Sequence, residues 1–203
     1  TGITTTTVSD ASAVTIDLTA PTLPSVTIVS SNTADTGRAN ADDTITVSIT
    51  ASEAITRPAV TIAGQVASVL ADGQIGAGIE WTAVYTVVME DVSEGDASVL
   101  VVYEDLASNN GATVSRVTDS SVVVIDLTAP TLSPVSITSD NSNDATVVNR
   151  GDTVTVSFTS DEPIVMPAVQ IAGRPAVVSG SLASWSAAYV VVGSAVTEGV
   201  VSI

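Results

Sequence analysis

The side chains in this sequence with chemistry to offer are carboxylates. Asp and Glu number 22, Lys and Arg 5, and there is no His and no Cys. Without imidazole or thiolate, neither a Ser-His-Asp triad nor a Cys-His pair can be assembled, and zinc loses its usual ligands. Two acids would suffice for glycoside hydrolysis, but that chemistry also needs a cleft, so no enzymatic activity is expected. What clustered carboxylates do unaided is hold a hard cation, since calcium takes about six to eight oxygens at about 2.3–2.6 Å. Two sets of residues are candidates for such sites. The first is Asp17, Glu53 and Asp105 with Asn109; the second is Asp126, Asp161 and Glu162 with Glu94 and Asp96. The alternative is that these are ordinary solvated loop acids.

Members of each set are far apart in sequence, so the fold must bring them together. The octapeptide Ile-Asp-Leu-Thr-Ala-Pro-Thr-Leu stands at 16–23 and again at 125–132, a period of 126 − 17 = 109 residues. A period of that size marks a whole folding unit copied head to tail. The match extends to Asp43–Ser48 with Asp152–Ser157 and Ile62-Ala63-Gly64 with Ile171-Ala172-Gly173. Beyond it the offset becomes 185 − 81 = 104 for Trp81 and Trp185, which places a deletion in the loop around Ala71 to Gly78. The expected organisation is therefore residues 1–17 as the last strand of a preceding copy, 18–126 as a complete copy, and 127–203 as a second copy without counterparts of its last strands. Pro21 and Pro130 lack an N–H and favour extended geometry before them, so each joint should be a short, stiff connector.

Thr44 to Thr50 and Thr153 to Phe158 alternate Thr or Ser with Ile or Val, the period-two pattern of half-buried strands. Strands are expected near 25–29, 44–51, 58–63, 65–70, 80–89, 97–103 and 112–125, and no segment has helical periodicity. Hydrophobic residues make up 45% of the chain and aromatics only 3%, so the cores must be aliphatic, with Trp81, Tyr85, Trp185 and Tyr189 as plugs rather than a sugar-stacking platform. Seven short strands per copy give the fold class: all-β, tandem immunoglobulin-like β-sandwich domains joined by short Pro-containing linkers. In an up-and-down order of these strands, the 52–57 and 104–111 loops share the pole where the linker enters. That order gathers Asp17, Glu53, Asp105 and Asn109, and by repetition Asp126, Asp161 and Glu162, with Glu94 and Asp96 facing the second joint from the opposite pole.

The motifs Ile-Asp-Leu-Thr-Ala-Pro-Thr (125–131), Gly-Asp-Thr-Val-Thr-Val-Ser (151–157), Ser-Glu-Ala-Ile (52–55), Val-Thr-Ile-Ala-Gly (60–64) and Glu-Asp-Leu-Ala-Ser-Asn-Asn-Gly (104–111) resemble, in order and spacing, the tandem bacterial Ig-like repeats of giant surface proteins and adhesins. In that family the last loop usually reads Asp-Leu-Ala-Gly-Asn; here Ser108 stands at the glycine. The resemblance implies repeats that act as extenders, often stiffened by calcium at their junctions.

These readings converge on a non-catalytic, extracellular or cell-surface structural segment whose partners are neighbouring Ig-like repeats in the same chain. Two alternatives are a self-assembling filament subunit that uses residues 1–16 as a donated strand, and a glycan- or protein-binding module. The net charge of −17 disfavours nucleic acid and anionic lipid, and no apolar run is long enough for direct membrane insertion.

Overall fold

A computed structural model of the chain describes residues 12, 14–71, 77–193 and 199–203. Most of the expected donated strand (1–16), the centre of the 71–78 loop and Glu198 lie outside these residues. The chain divides into two compact units, Thr1–Leu127 and Thr128–Ile203. Both are all-β, and no helix among the described residues is long and apolar enough to cross a membrane.

In the first unit the Thr/Ile alternation produces the strands it predicts. β1 (Ser25–Ser30), β2 (Arg38–Ala39), β3 (Thr44–Thr56), β4 (Ala59–Ile62), β5 (Gln65–Val66), β6 (Ser68–Ala71), β7 (Ala77–Thr86), β8 (Gly95–Asp96), β9 (Val99–Val102) and β10 (Val124–Ile125) form three sheets. These are the antiparallel four-stranded β1-β3-β7-β6, the three-stranded β5-β4-β9, and a small β2-β10-β8 in which β10 runs parallel to β2. Inward residues of the sheets meet in one aliphatic core containing Val26, Ile45, Val47, Ile49, Ile62, Val101, Val123 and Ile125, plugged by Trp81. Each such Val or Ile contributes about 1.5–3 kcal/mol relative to exposure. The buried Trp81 donates its indole N–H to Gly78 O at 3.0 Å, and its ring serves the core.

The structure departs from the expected strands in three respects. The 65–70 strand breaks at Ala67, whose N–H donates to Val60 O at 3.0 Å before β6 crosses to β7 in the other sheet. The 112–125 strand is mostly irregular: Val114 bridges Val101, and only Val124–Ile125 forms a ladder. A turn interrupts it, because the Asp119 carboxylate accepts from the Ser121 N–H and hydroxyl while Ser120 adopts φ 63°. Hydroxyls then substitute for a ladder along β1: Thr118 Oγ1 accepts from Val26 N (2.9 Å) and Ser121 Oγ from Ile28 N (3.0 Å). An edge that would invite pairing is thereby closed. Third, β2 and β8 are two residues each, too short to show a period in sequence.

The second unit contains β11 (Leu132–Ser139), β12 (Thr153–Ser160), β13 (Gln170–Ile171), β14 (Arg174–Pro175), β15 (Val177–Ser181) and β16 (Ser184–Val190). Its main sheet runs β11-β12-β16-β15, the order of β1-β3-β7-β6, beside the β13-β14 hairpin. Trp185 repeats the device of Trp81, donating to Leu182 O at 2.9 Å. Both units make the same two-residue hairpin, Ala63-Gly64 and Ala172-Gly173, with positive φ at both turn positions as a type I′ turn requires.

Candidate cation site

Asp17, Glu53 and Asp105 come together in the first unit: each offers a carboxylate oxygen, and these oxygens lie within 4.8 Å of one another. Two ligands on opposite sides of a calcium ion with bonds of about 2.4 Å are about 4.8 Å apart, so one such ion can reach all three. The group could hold a metal ion. Three separate stretches supply it: the incoming linker gives Asp17, β3 gives Glu53, and the loop after β9 gives Asp105. Glu53 lies not in a free loop but on the irregular part of β3, where the pairing with β7 shifts register between Thr50 and Ile55. Ile55 then bridges Asp105, tying the β3 end to the 104–110 loop.

That loop is built around the Asp105 carboxylate. Oδ1 accepts from the backbone N–H of Ala107 and of Asn109, each at 2.8 Å, and Oδ2 from Asn109 Nδ2 at 2.8 Å. Ser108 adopts φ 66°, the left-handed conformation that favours glycine. Asn109 Nδ2 also donates to the Asp17 backbone carbonyl at 3.3 Å, so Asn109 clamps loop to linker. The same amide turned over would present its oxygen instead.

The two acids of the core group that titrate abnormally do so in opposite directions. Burial pushes Glu53 up, and the charges of Asp17 and Asp105 push it further. Burial also acts to raise Asp105, but the hydrogen bonds from Asn109, Ala107 and Ser108 outweigh it and hold the carboxyl below its ordinary range. The arrangement thus keeps Asp105, only 2% exposed, ionised beside a glutamate that resists ionising. A cation between them would relieve that conflict.

Sequence reasoning missed the residues that fix the linker. The Thr22 N–H donates to Ser52 Oγ and the Ser52 N–H to Thr22 O, both at 2.9 Å. The Leu23 N–H bonds the Tyr103 hydroxyl, and the buried Tyr103 ring lies against Gly111. A signal existed: the residue before each candidate glutamate, Ser52 and Asp161, stands at the same repeat position and can accept a hydrogen bond.

Residues of the second set are divided between the units, and each has its own partners there. In the first unit Asp126 Oδ2 lies 3.5 Å from Arg38 Nη1, and Glu94 Oε1 accepts from Leu127 N at 2.9 Å. Asp96 sits in β8 opposite Val124. In the second unit Asp161 takes the place of Ser52 as the linker latch, accepting from the Thr131 N–H (2.9 Å) and hydroxyl (2.6 Å). These bonds hold its carboxyl below the ordinary aspartate range. Glu162 is the repeat counterpart of Glu53, as 162 − 53 = 109.

Fold and site together define an all-β, sandwich-like protein with an acid group suited to an oxygen-seeking cation. No protein-family model matches the chain, and no curated protein matches it.

Proposed function

We propose that this chain is a non-catalytic extender segment of an extracellular surface protein or adhesin, built of tandem Ig-like repeats and stiffened by calcium at its joints. The observation that carries the reading is the convergence of Asp17, Glu53 and Asp105 at the point where the linker enters the first unit. One ion there would tie the linker to the irregular end of β3 and to the 104–110 loop, converting a hinge into a fixed exit. The Ig-like assignment rests on the strand order β1-β3-β7-β6 against β5-β4-β9, and on its partial repetition as β11-β12-β16-β15. The donor set is all oxygen, which favours calcium over softer metals. By the 109-residue offset Asp126 and Glu162 are the repeat counterparts of Asp17 and Glu53, and Asp161 holds the second linker through Thr131.

Small-angle scattering with calcium and then with chelator tests the stiffening, at fixed ionic strength and extrapolated to infinite dilution so that screening and association are held constant. A larger maximum dimension with calcium, lost on chelation and in Asp126→Ala, is the expected result. Identical profiles in all conditions would remove calcium from the reading.

A further inference from the structure

Both units end their main sheet on the same edge strand, and they guard it differently. In the first unit that edge is β6, and Arg57 Nη2 donates to Val69 O at 2.7 Å. A guanidinium on an edge carbonyl occupies the group that an incoming strand would need. In the second unit the edge is β15, one residue longer than β6. The offset of 109 puts Met166 at the place of Arg57 and Val178 at that of Val69. A thioether donates no hydrogen bond, so this edge has no such cap. β15 and β16 are joined by the two-residue turn Leu182-Ala183. The pair flanking such a turn is hydrogen-bonded, and bonded pairs alternate from there. Val177, Ser179 and Ser181 therefore bond to β16, while Val178 and Gly180 turn their backbone groups outward. Among the described residues no hydrogen bond engages those outward groups.

The surroundings of β15 suit a partner of its own kind. From Pro163 to Thr197 the sequence has no carboxylate, and Arg174 is its only charge; the counterpart stretch 54–93 of the first unit has Asp72, Glu80, Glu90 and Asp91. On a chain of net charge −17, this is the stretch along which two copies meet without acid facing acid. Val177, at the place of Ser68, is 77% exposed, and Leu182 in the turn is 68% exposed. Beside the edge lies an apolar groove of about 350 Å³ lined by Met166, Pro175, Ala176 and Val178 among others. The first unit has a groove at the same place, along Arg57, Val66, Ala67 and Val69.

We propose that β15 pairs with β15 of a second copy of this chain, antiparallel across a two-fold axis at Ser179, so that the sheet of one copy continues into the other. The outward groups fix the register: Val178 exchanges both backbone hydrogen bonds with Gly180 of the second copy, Gly180 does so with Val178, and the two Ser179 residues face each other as a non-bonded pair. No other register of those groups pairs all five residues of β15. Val177 then lies opposite Ser181, and Leu182 comes opposite Ala176, at the rim of the groove. The contact is isologous, so it closes as a dimer and joins two chains side by side. It uses neither joint, and so is independent of the calcium reading.

The test uses the whole chain in chelator, which removes any cation from the outcome. Sedimentation from micromolar to millimolar concentration should show the average mass rising from 20.3 kDa to twice that value and levelling there. Met166→Arg installs the cap of the first unit, and Ser179→Asp sets two like charges against each other at the axis. Both residues are exposed, so folding is not at stake, and each variant should stay monomeric. Because the protein has no cysteine, Ser179→Cys reports the register directly. Non-bonded antiparallel partners lie about 4.5 Å apart at Cα, within reach of a disulfide, so oxidation should give a covalent dimer. Val177→Cys separates the two thiols by four residues, about 13 Å along the strand, and should give none. A monomer at every concentration, a mass that climbs beyond the dimer, a dimer that survives either Met166→Arg or Ser179→Asp, or equal cross-linking through Val177→Cys would each overturn the proposal.

Discussion

Gly111→Ala isolates the support of the candidate cation site. A Cβ at Gly111 would lie 2.2 Å from Tyr103 Cε2, 2.3 Å from Cζ and 2.8 Å from Cδ2. Carbon contacts this short require a displacement of more than an ångström, and the ring is buried with its hydroxyl bonded to Leu23. Gly111 has no positive φ, so the cost is steric and not conformational. Overpacking of this kind costs about 1–3 kcal/mol, which lowers the melting temperature of a unit this size by about 4–8 °C per kcal/mol. Since Gly111 N also bonds Tyr103 O at 3.1 Å, the displacement loosens the strand that leads into the Asp105 loop. Hydrogen exchange reads the two units separately. Peptides covering 99–114 should lose protection in the variant while those of 153–190 keep it, and calcium affinity should fall several-fold. Unchanged protection in 99–114 would refute the idea that the Tyr103 ring sets the position of the loop.

Three further outcomes follow from the same geometry. Glu53→Gln removes the carboxylate that its neighbours already disfavour, so the ion-free chain should resist unfolding better than the parent while its calcium affinity drops by about tenfold or more; thermal melts with and without calcium check both. The acids also set the pH response with opposite signs. Asp105 titrates below the ordinary value of 3.8, so its contribution is complete above that value and is lost as pH falls through its folded value; Asp105→Asn should flatten this limb of an acid denaturation curve. Glu53 titrates above 4.5, so protonating it relieves repulsion and stabilises the ion-free fold, and calcium binding should begin to weaken on acidification above the usual glutamate range. Finally, Ala63→Asn and Ala172→Asn place a residue tolerant of positive φ in the two hairpin turns and should each add about 0.5–1 kcal/mol in urea titration.

The strands with a long alternating pattern, β1, β3, β7 and their counterparts β11, β12 and β16, were legible because a period of two over six or more residues has no competing reading. Elements fixed by single contacts were not. β2 and β8 exist only as walls for β10, and the 112–125 stretch keeps a strand's composition while Asp119 and Ser121 fold it into a turn. For the site, strand polarity sufficed to bring Asp17, Glu53 and Asp105 to one pole, although Glu53 sits on the irregular end of β3 and not in the expected 52–57 loop. What remained hidden were the donors. Asn109 reads in sequence as an oxygen ligand, yet its amide nitrogen faces Asp105 and Asp17. Asp161 reads as a ligand, yet both of its oxygens hold Thr131. Short polar side chains near a turn serve the backbone first, and only coordinates reveal which group they serve.

Calorimetric titration of the chain with calcium at neutral pH and fixed ionic strength tests the central claim most directly. The account predicts a site with a dissociation constant of about 10⁻⁴–10⁻³ M, the range of extracellular calcium modules. The heat of one site should disappear in Glu53→Gln and again in Asp105→Asn. Absence of binding heat, or binding that both variants retain, would contradict the account and leave the three carboxylates as a solvated patch beside the linker.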